Sequence, residues 1–98
     1  SHYLPTTGQL CRLVQLARQK NPPGAAGGAA RRLKIYYATT AVDPKYNTIP
    51  VPRYVLFVND KSLLTDSYSQ YLRNKIREAY PAPGIPVIFS ARSRVRND

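Results

Sequence analysis

At 98 residues the chain is long enough for one core and too short for a nucleotide-hydrolysing domain with its own sheet and phosphate loop. Fifteen Lys and Arg against five Asp and Glu give a formal charge of +10, more than the roughly 2–8 charges that keep a small domain soluble, so the surface carries a field that attracts polyanions. Cys11 is the sole cysteine, which excludes an intramolecular disulfide and favours a reducing, cytoplasmic setting. No apolar run approaches the roughly 20 residues of a membrane span and no charged-then-apolar leader opens the chain, so a soluble domain is expected. The start at Ser1-His2, without Met, points to a piece of a longer protein.

In chain order, residues 1–5 are expected to be a disordered tail. Thr6 and Thr7 are candidate caps for a first helix whose apolar stripe is Leu10, Leu13, Val14 and Ala17, with Arg12, Gln15, Arg18 and Lys20 mostly outside it. Asn21-Pro22-Pro23-Gly24 ends that helix, and Ala25 to Ala30 reads as a Gly/Ala linker. From Arg32 to Thr40, Leu33, Ile35 and Tyr37 alternate with Lys34, Tyr36 and Ala38, the pattern of a strand with one face to a core. The stretch Ala41 to Pro52 holds Asp43-Pro44, Asn47 and two prolines, a long loop leading to a second strand at Arg53 to Asn59. That strand is continuously apolar through Tyr54-Val55-Leu56-Phe57-Val58 and is expected to be central, pairing with the first as an antiparallel hairpin.

After a short helical turn through Leu63-Leu64, residues 67–80 carry the clearest helix. Tyr68, Leu72, Ile76 and Ala79 recur on one side, Gln70, Arg73, Asn74 and Arg77 on the other. Asp66 and Ser67 are candidate caps, and Pro81-Ala82-Pro83-Gly84 stops the helix. A last strand is expected at Ile85 to Ala91, with Val87 and Phe89 to one side, before a basic tail at residues 92–98. The order α-β-β-α-β specifies a single α+β domain over 1–98 with a folded core at 6–91. Both helices pack on one face of a three-stranded sheet, the second and third strands are parallel through a right-handed crossover, and the other sheet face is open.

Catalysis has few candidates. His2 is the only histidine and lies in the tail, while Cys11 sits beside an apolar stripe, where a small buried hydrophobe is the ordinary role. Asp43, Asp60, Asp66, Glu78 and Asp98 show no paired-carboxylate spacing, Asp60 and Asp66 reading as turn and cap residues. Metal-ligand clusters and the phosphate-cradling Gly-x-x-x-x-Gly-Lys-Ser/Thr loop are absent, so this piece is expected to be neither an enzyme nor a cofactor carrier. The charge falls instead into three groups of candidate RNA-binding residues: Arg31, Arg32 and Lys34; Arg73, Lys75 and Arg77; Arg92, Arg94 and Arg96. The last three alternate, so an extended chain projects them to one side, either tracking phosphates or as a solvated tail. Tyr36, Tyr37, Tyr54 and Phe57, on strands near arginines, are candidates for base stacking as well as for core.

These residues in order resemble the C-terminal KH-like domain of the Der (EngA) family of bacterial tandem-domain GTPases. The resemblance is carried by Arg31 through Thr39, Tyr54 through Asp60, Ser67-Tyr68, Tyr71 through Asn74, Ile76 through Ala79 and Gly84-Ile85-Pro86, with Thr7, Leu10 and Asn21-Pro22-Pro23 fitting the opening. It implies a KH-like fold and a parent GTPase acting in assembly of the large ribosomal subunit, with GTP and Mg2+ held in GTPase domains absent here. It also implies a module contacting ribosomal RNA of the large subunit, or alternatively one docking on the adjacent GTPase domains of the same chain and regulating them by nucleotide state. Two features depart from RNA-gripping KH domains: Lys61 to Ser67 lacks the Gly-x-x-Gly loop, and Gly24-Ala25-Ala26-Gly27 falls in the linker. The hairpin loop is long for the family, and Cys11 stands where Asn is expected.

Overall fold

Thr6 opens the first helix with a reciprocal capping box. Its hydroxyl accepts from the Gln9 N–H at 3.1 Å while Gln9 Oε1 accepts from the Thr6 N–H at 2.9 Å. The computed structural model describes residues 5–24, 32–42 and 52–94. Within them the order is α1 (Thr7–Lys20), β1 (Ile35–Val42), β2 (Pro52–Val58), a single 3₁₀ turn (Lys61–Leu63), α2 (Asp66–Ala79) and β3 (Ile88–Ser93). This is the expected α-β-β-α-β, KH-like α+β arrangement. The Gly/Ala linker and most of the hairpin loop lie outside the described residues.

The caps and edges differ in detail from the sequence reading. α2 is capped by Thr65, whose hydroxyl accepts from the Tyr68 N–H at 3.1 Å, and Asp66 is already in the first turn, where its carboxylate faces the positive helix end. Ala79, expected in the apolar stripe, is exposed in the last turn. β3 begins and ends later than its apolar run, because Pro81 to Val87 is spent on a turn with Gly84 at φ 81° and a non-strand lead into the sheet.

The sheet has β2 at its centre, antiparallel to β1 and parallel to β3. Tyr54, Leu56 and Val58 face the helices together with Ile35 and Ala38 of β1, and Val87, Phe89 and Ala91 pack against them from the β3 side. Leu10, Val14 and Ala17 of α1 and Tyr68, Leu72 and Ile76 of α2 close the same core. The helices run antiparallel. Tyr68 Oη donates to Asn21 O, a carbonyl at the C-cap of α1, and Tyr71 Oη donates to Ala17 O, each at 2.9 Å; Ala17 O also accepts from the Asn21 N–H at 3.0 Å.

β1 contains a bulge: Ile35 pairs with Val58 and Tyr37 with Phe57, so Tyr36 and Tyr37 together oppose one residue of β2. The strict alternation expected of this strand is broken there. Tyr37, expected beside Leu33 and Ile35, turns to solvent, and Ala38, expected opposite, becomes fully buried.

Candidate nucleic-acid interface

Residues alternating with the core-facing positions build the other side of the sheet. They are Tyr37 and Thr39 of β1, Arg53, Val55 and Phe57 of β2, and Ile88, Ser90 and Arg92 of β3. Of the described helices only α1 borders it, at the β1 edge, where Thr7 Oγ1 lies 3.4 Å from Thr39 Oγ1 and Gln15 and Arg18 line a cleft with Tyr36 and Tyr37; the bulge adds Tyr36 to this side. The Tyr37 and Phe57 rings meet at 5.1 Å between centroids, tilted by 56°, a geometry in which one ring's edge supports the other. Past the end of β3, the Arg94 N–H donates to Val58 O at 2.8 Å, and its guanidinium carbon stands 4.9 Å from the centre of the Tyr36 ring. Tyr36 and Tyr37 are 47% and 53% exposed, whereas Tyr54 is only 3% exposed. Burial raises the Tyr54 phenol above its ordinary pKa, and among the four stacking candidates it is the one in the core.

The same end of the sheet collects charge. Asn59, just after β2, accepts from the Lys34 N–H through Oδ1 at 2.8 Å, donates through Nδ2 to Arg32 O at 3.0 Å, and donates its own N–H to Lys34 O at 3.0 Å. These bonds hold the lead into β1 without a strand ladder. Because β3 is parallel to β2, Arg92 and Arg94 arrive at this end too, and the Lys61 N–H donates to Ser93 Oγ at 2.9 Å, tying the 3₁₀ turn to it. Arg32, Lys34, Arg92 and Arg94 are thus brought together, with Lys61 as a further cation. Lys61 was missed because nothing local in the sequence ties it to Ser93.

Arg73, Lys75 and Arg77 lie apart, on α2 in the helix layer. Arg73 bonds Gln70 Oε1 at 3.1 Å, Lys75 sits 3.6 Å from the Glu78 carboxylate, and Arg77 borders a groove with Tyr80, Pro81, Pro83 and Gly84. Arg31 and Arg96 lie outside the described residues. Of the described acids, Asp60 lies between Asn59 and Lys61 at this end, its carboxylate accepting from the Ser62 N–H and hydroxyl, while Asp66 and Glu78 belong to α2.

The usual KH grip on a nucleic-acid backbone needs glycines between the turn and the helix. Here Leu64 and Thr65 occupy that place in extended conformations, Thr65 spends its hydroxyl on the cap, and Asp66 sets a negative charge at the helix start. Among the described residues no group of three or more His, Cys, Asp and Glu gathers to hold a metal, and no helix is long and apolar enough to cross a membrane. Half-buried Cys11 donates its thiol to Ala38 O at 3.0 Å, bracing α1 against β1.

Two helices on one side of a β1-β2-β3 sheet, with an uncovered opposite side, define a KH-like α+β module. Residues 5–92 match the family described as KH-domain-like of EngA bacterial GTPase enzymes, C-terminal, and the chain belongs to that family. It is 93% identical over all 98 residues to the GTPase Der of Akkermansia muciniphila, covering 21% of that relative. It is 40% identical over 94 residues to the GTPase Der of Protochlamydia amoebophila, and 40% identical over 92 residues to that of Desulforamulus reducens. These matches cover 95% and 94% of this chain, and 18% and 19% of the relatives. The chain therefore spans about a fifth of the length of the curated relatives it matches.

Proposed function

We propose that the domain is the non-catalytic, RNA- and ribosome-contacting C-terminal module of a cytoplasmic GTP-binding protein that acts in assembly of the large ribosomal subunit. Its partner is ribosomal RNA of that subunit, and GTP with Mg2+ belongs to GTPase domains elsewhere in the longer protein. The observation that carries this reading is the sheet end where Arg32, Lys34, Lys61, Arg92 and Arg94 converge from three separate parts of the chain. Such a cluster meets phosphates by displacing their condensed counterions, so binding weakens steeply with salt. Arg31, Arg73, Lys75, Arg77 and Arg96 are the remaining cations assigned to RNA, the α2 group as a separate, weaker contact.

Co-sedimentation of the chain with purified large ribosomal subunits across a salt series tests this. Binding is expected at low salt and to weaken in an Arg92→Gln/Arg94→Gln variant; a folded chain that does not bind at low salt overturns the reading. Docking on the adjacent GTPase domains is the second reading. It is favoured by the groove of about 480 Å³ beneath the end of α2, lined by Ile76, Tyr80, Pro81, Pro83, Ile85 and Val87, a mainly apolar surface suited to protein.

A further inference from the structure

We infer that the open side of the sheet is a stacking platform for unpaired nucleotides, with Tyr36 and Tyr37 each receiving a base and Arg92 and Arg94 holding the neighbouring phosphates. This rests on the RNA-contacting reading and assigns it a surface and a substrate class.

Three features of the face converge on that occupant. First, the bulge places two consecutive aromatic side chains on one side of a strand, which a regular strand forbids, and both stay about half exposed. Second, the rings are supported. Tyr37 leans on Phe57, and Tyr36 has the Arg94 guanidinium near its ring, so little side-chain freedom remains to be lost on binding. Third, the described charges on this side are the arginines 53, 92 and 94 with no carboxylate among them, which complements a polyanion and disfavours an acid-free protein partner.

The ring faces also select the form of the nucleic acid. A base in a duplex has both faces stacked on its neighbours, so it has none to offer Tyr36 or Tyr37, whereas an unpaired base in a loop, bulge or single strand does. Phosphate contacts through Arg92 and Arg94 are indifferent to this and apply to either form. Hence the tyrosines carry the preference for unpaired RNA and the arginines carry general affinity. This site lies on the sheet side opposite the buried core, bordered by α1 only at the β1 edge, and is distinct from the turn-to-helix segment whose glycines this chain lacks.

Fluorescence anisotropy of the chain tests the assignment, with a labelled oligouridine of about 12 nucleotides and an RNA duplex of similar length at matched salt. Tyr36→Leu/Tyr37→Leu keeps apolar area and removes the aromatic faces; Tyr36→Phe/Tyr37→Phe keeps both. Circular dichroism melts check folding, and the single Tyr36→Leu variant serves if the pair melts early. The Leu pair is expected to bind the oligouridine at least about tenfold more weakly, to bind the duplex as the parent does, and the Phe pair to bind both as the parent does. Oligouridine binding that is unchanged in the Leu pair overturns the platform while leaving the RNA-contacting reading intact. Equal losses for oligouridine and duplex also overturn it, since the tyrosines would then not be selecting unpaired bases. Absence of binding to either RNA by the folded parent overturns both.

Discussion

The two sides of one three-stranded sheet differ in what their side chains are for. On the helix side, Tyr54, Leu56, Val58, Ile35 and Ala38 are buried and bond or pack to α1 and α2; on the other, Tyr36, Tyr37 and Arg92 are exposed while lying only a few ångströms away along the same strands. Alternation alone predicts an apolar side and a polar side. What the second side carries instead is an aromatic pair produced by a bulge and arginines without acids, which neither solubility nor stability requires. Residue type is therefore a poor guide to role here: Tyr54 and Tyr37 are the same residue, and one is core and the other surface.

The sharpest way to break this contrast is to truncate each side. Leu56→Ala or Leu72→Ala removes a fully buried side chain and is expected to cost about 2–5 kcal/mol in urea unfolding. Tyr37→Leu, on the open side, gives up the tilted ring contact with Phe57 and is expected to cost about 0.5–1.5 kcal/mol; a cost equal to that of the core truncations would mean that both sides are core. Next in size, the Arg92→Gln/Arg94→Gln pair is expected to lower the slope of log affinity against log salt by about 1.5 for RNA, with unfolding unchanged. Smaller still, Tyr71→Phe removes the bond to Ala17 O and is expected to cost about 1 kcal/mol.

The helix interface also predicts a pH effect. Burial, with the nearby Tyr71 adding and Arg18 opposing, raises the Tyr68 phenol above its ordinary value of 10.0. The unfolded chain then releases this proton first as pH rises, so it binds fewer protons than the folded chain and stability falls with increasing pH. The contribution is fully present below about pH 10 and is lost above it as pH passes through the raised folded value. Thermal melts of Tyr68→Phe are expected to fall less steeply across that range than those of the parent, and identical slopes would remove Tyr68 from the account.

The parts legible in the sequence are those set by local periodicity. The 3.6-residue stripes through Leu10, Val14 and Ala17 and through Tyr68, Leu72 and Ile76 fix both helices, and the apolar run at β2 fixes the central strand. Cap positions are less sharp because Thr65, Asp66 and Ser67 are all capable of capping, and only the backbone path selects Thr65. The bulge was illegible because it is a property of the pairing between β1 and β2, not of either strand. With it went the assignment of Tyr37 and Ala38 to their faces. The gathering of Arg32 and Lys34 with Arg92 and Arg94 depends on Asn59 and on a parallel crossover, contacts between residues more than twenty positions apart. Composition announced the charge without its address.

The most direct test of the central claim, that the uncovered side of the sheet is the RNA surface, is an amide chemical-shift titration of the chain with oligouridine. The largest shifts are expected at Tyr36, Tyr37, Phe57, Arg92 and Arg94. Shifts concentrated instead at Leu64 to Gln70, where other KH domains grip the backbone, or along the Tyr80 to Val87 groove, would contradict it.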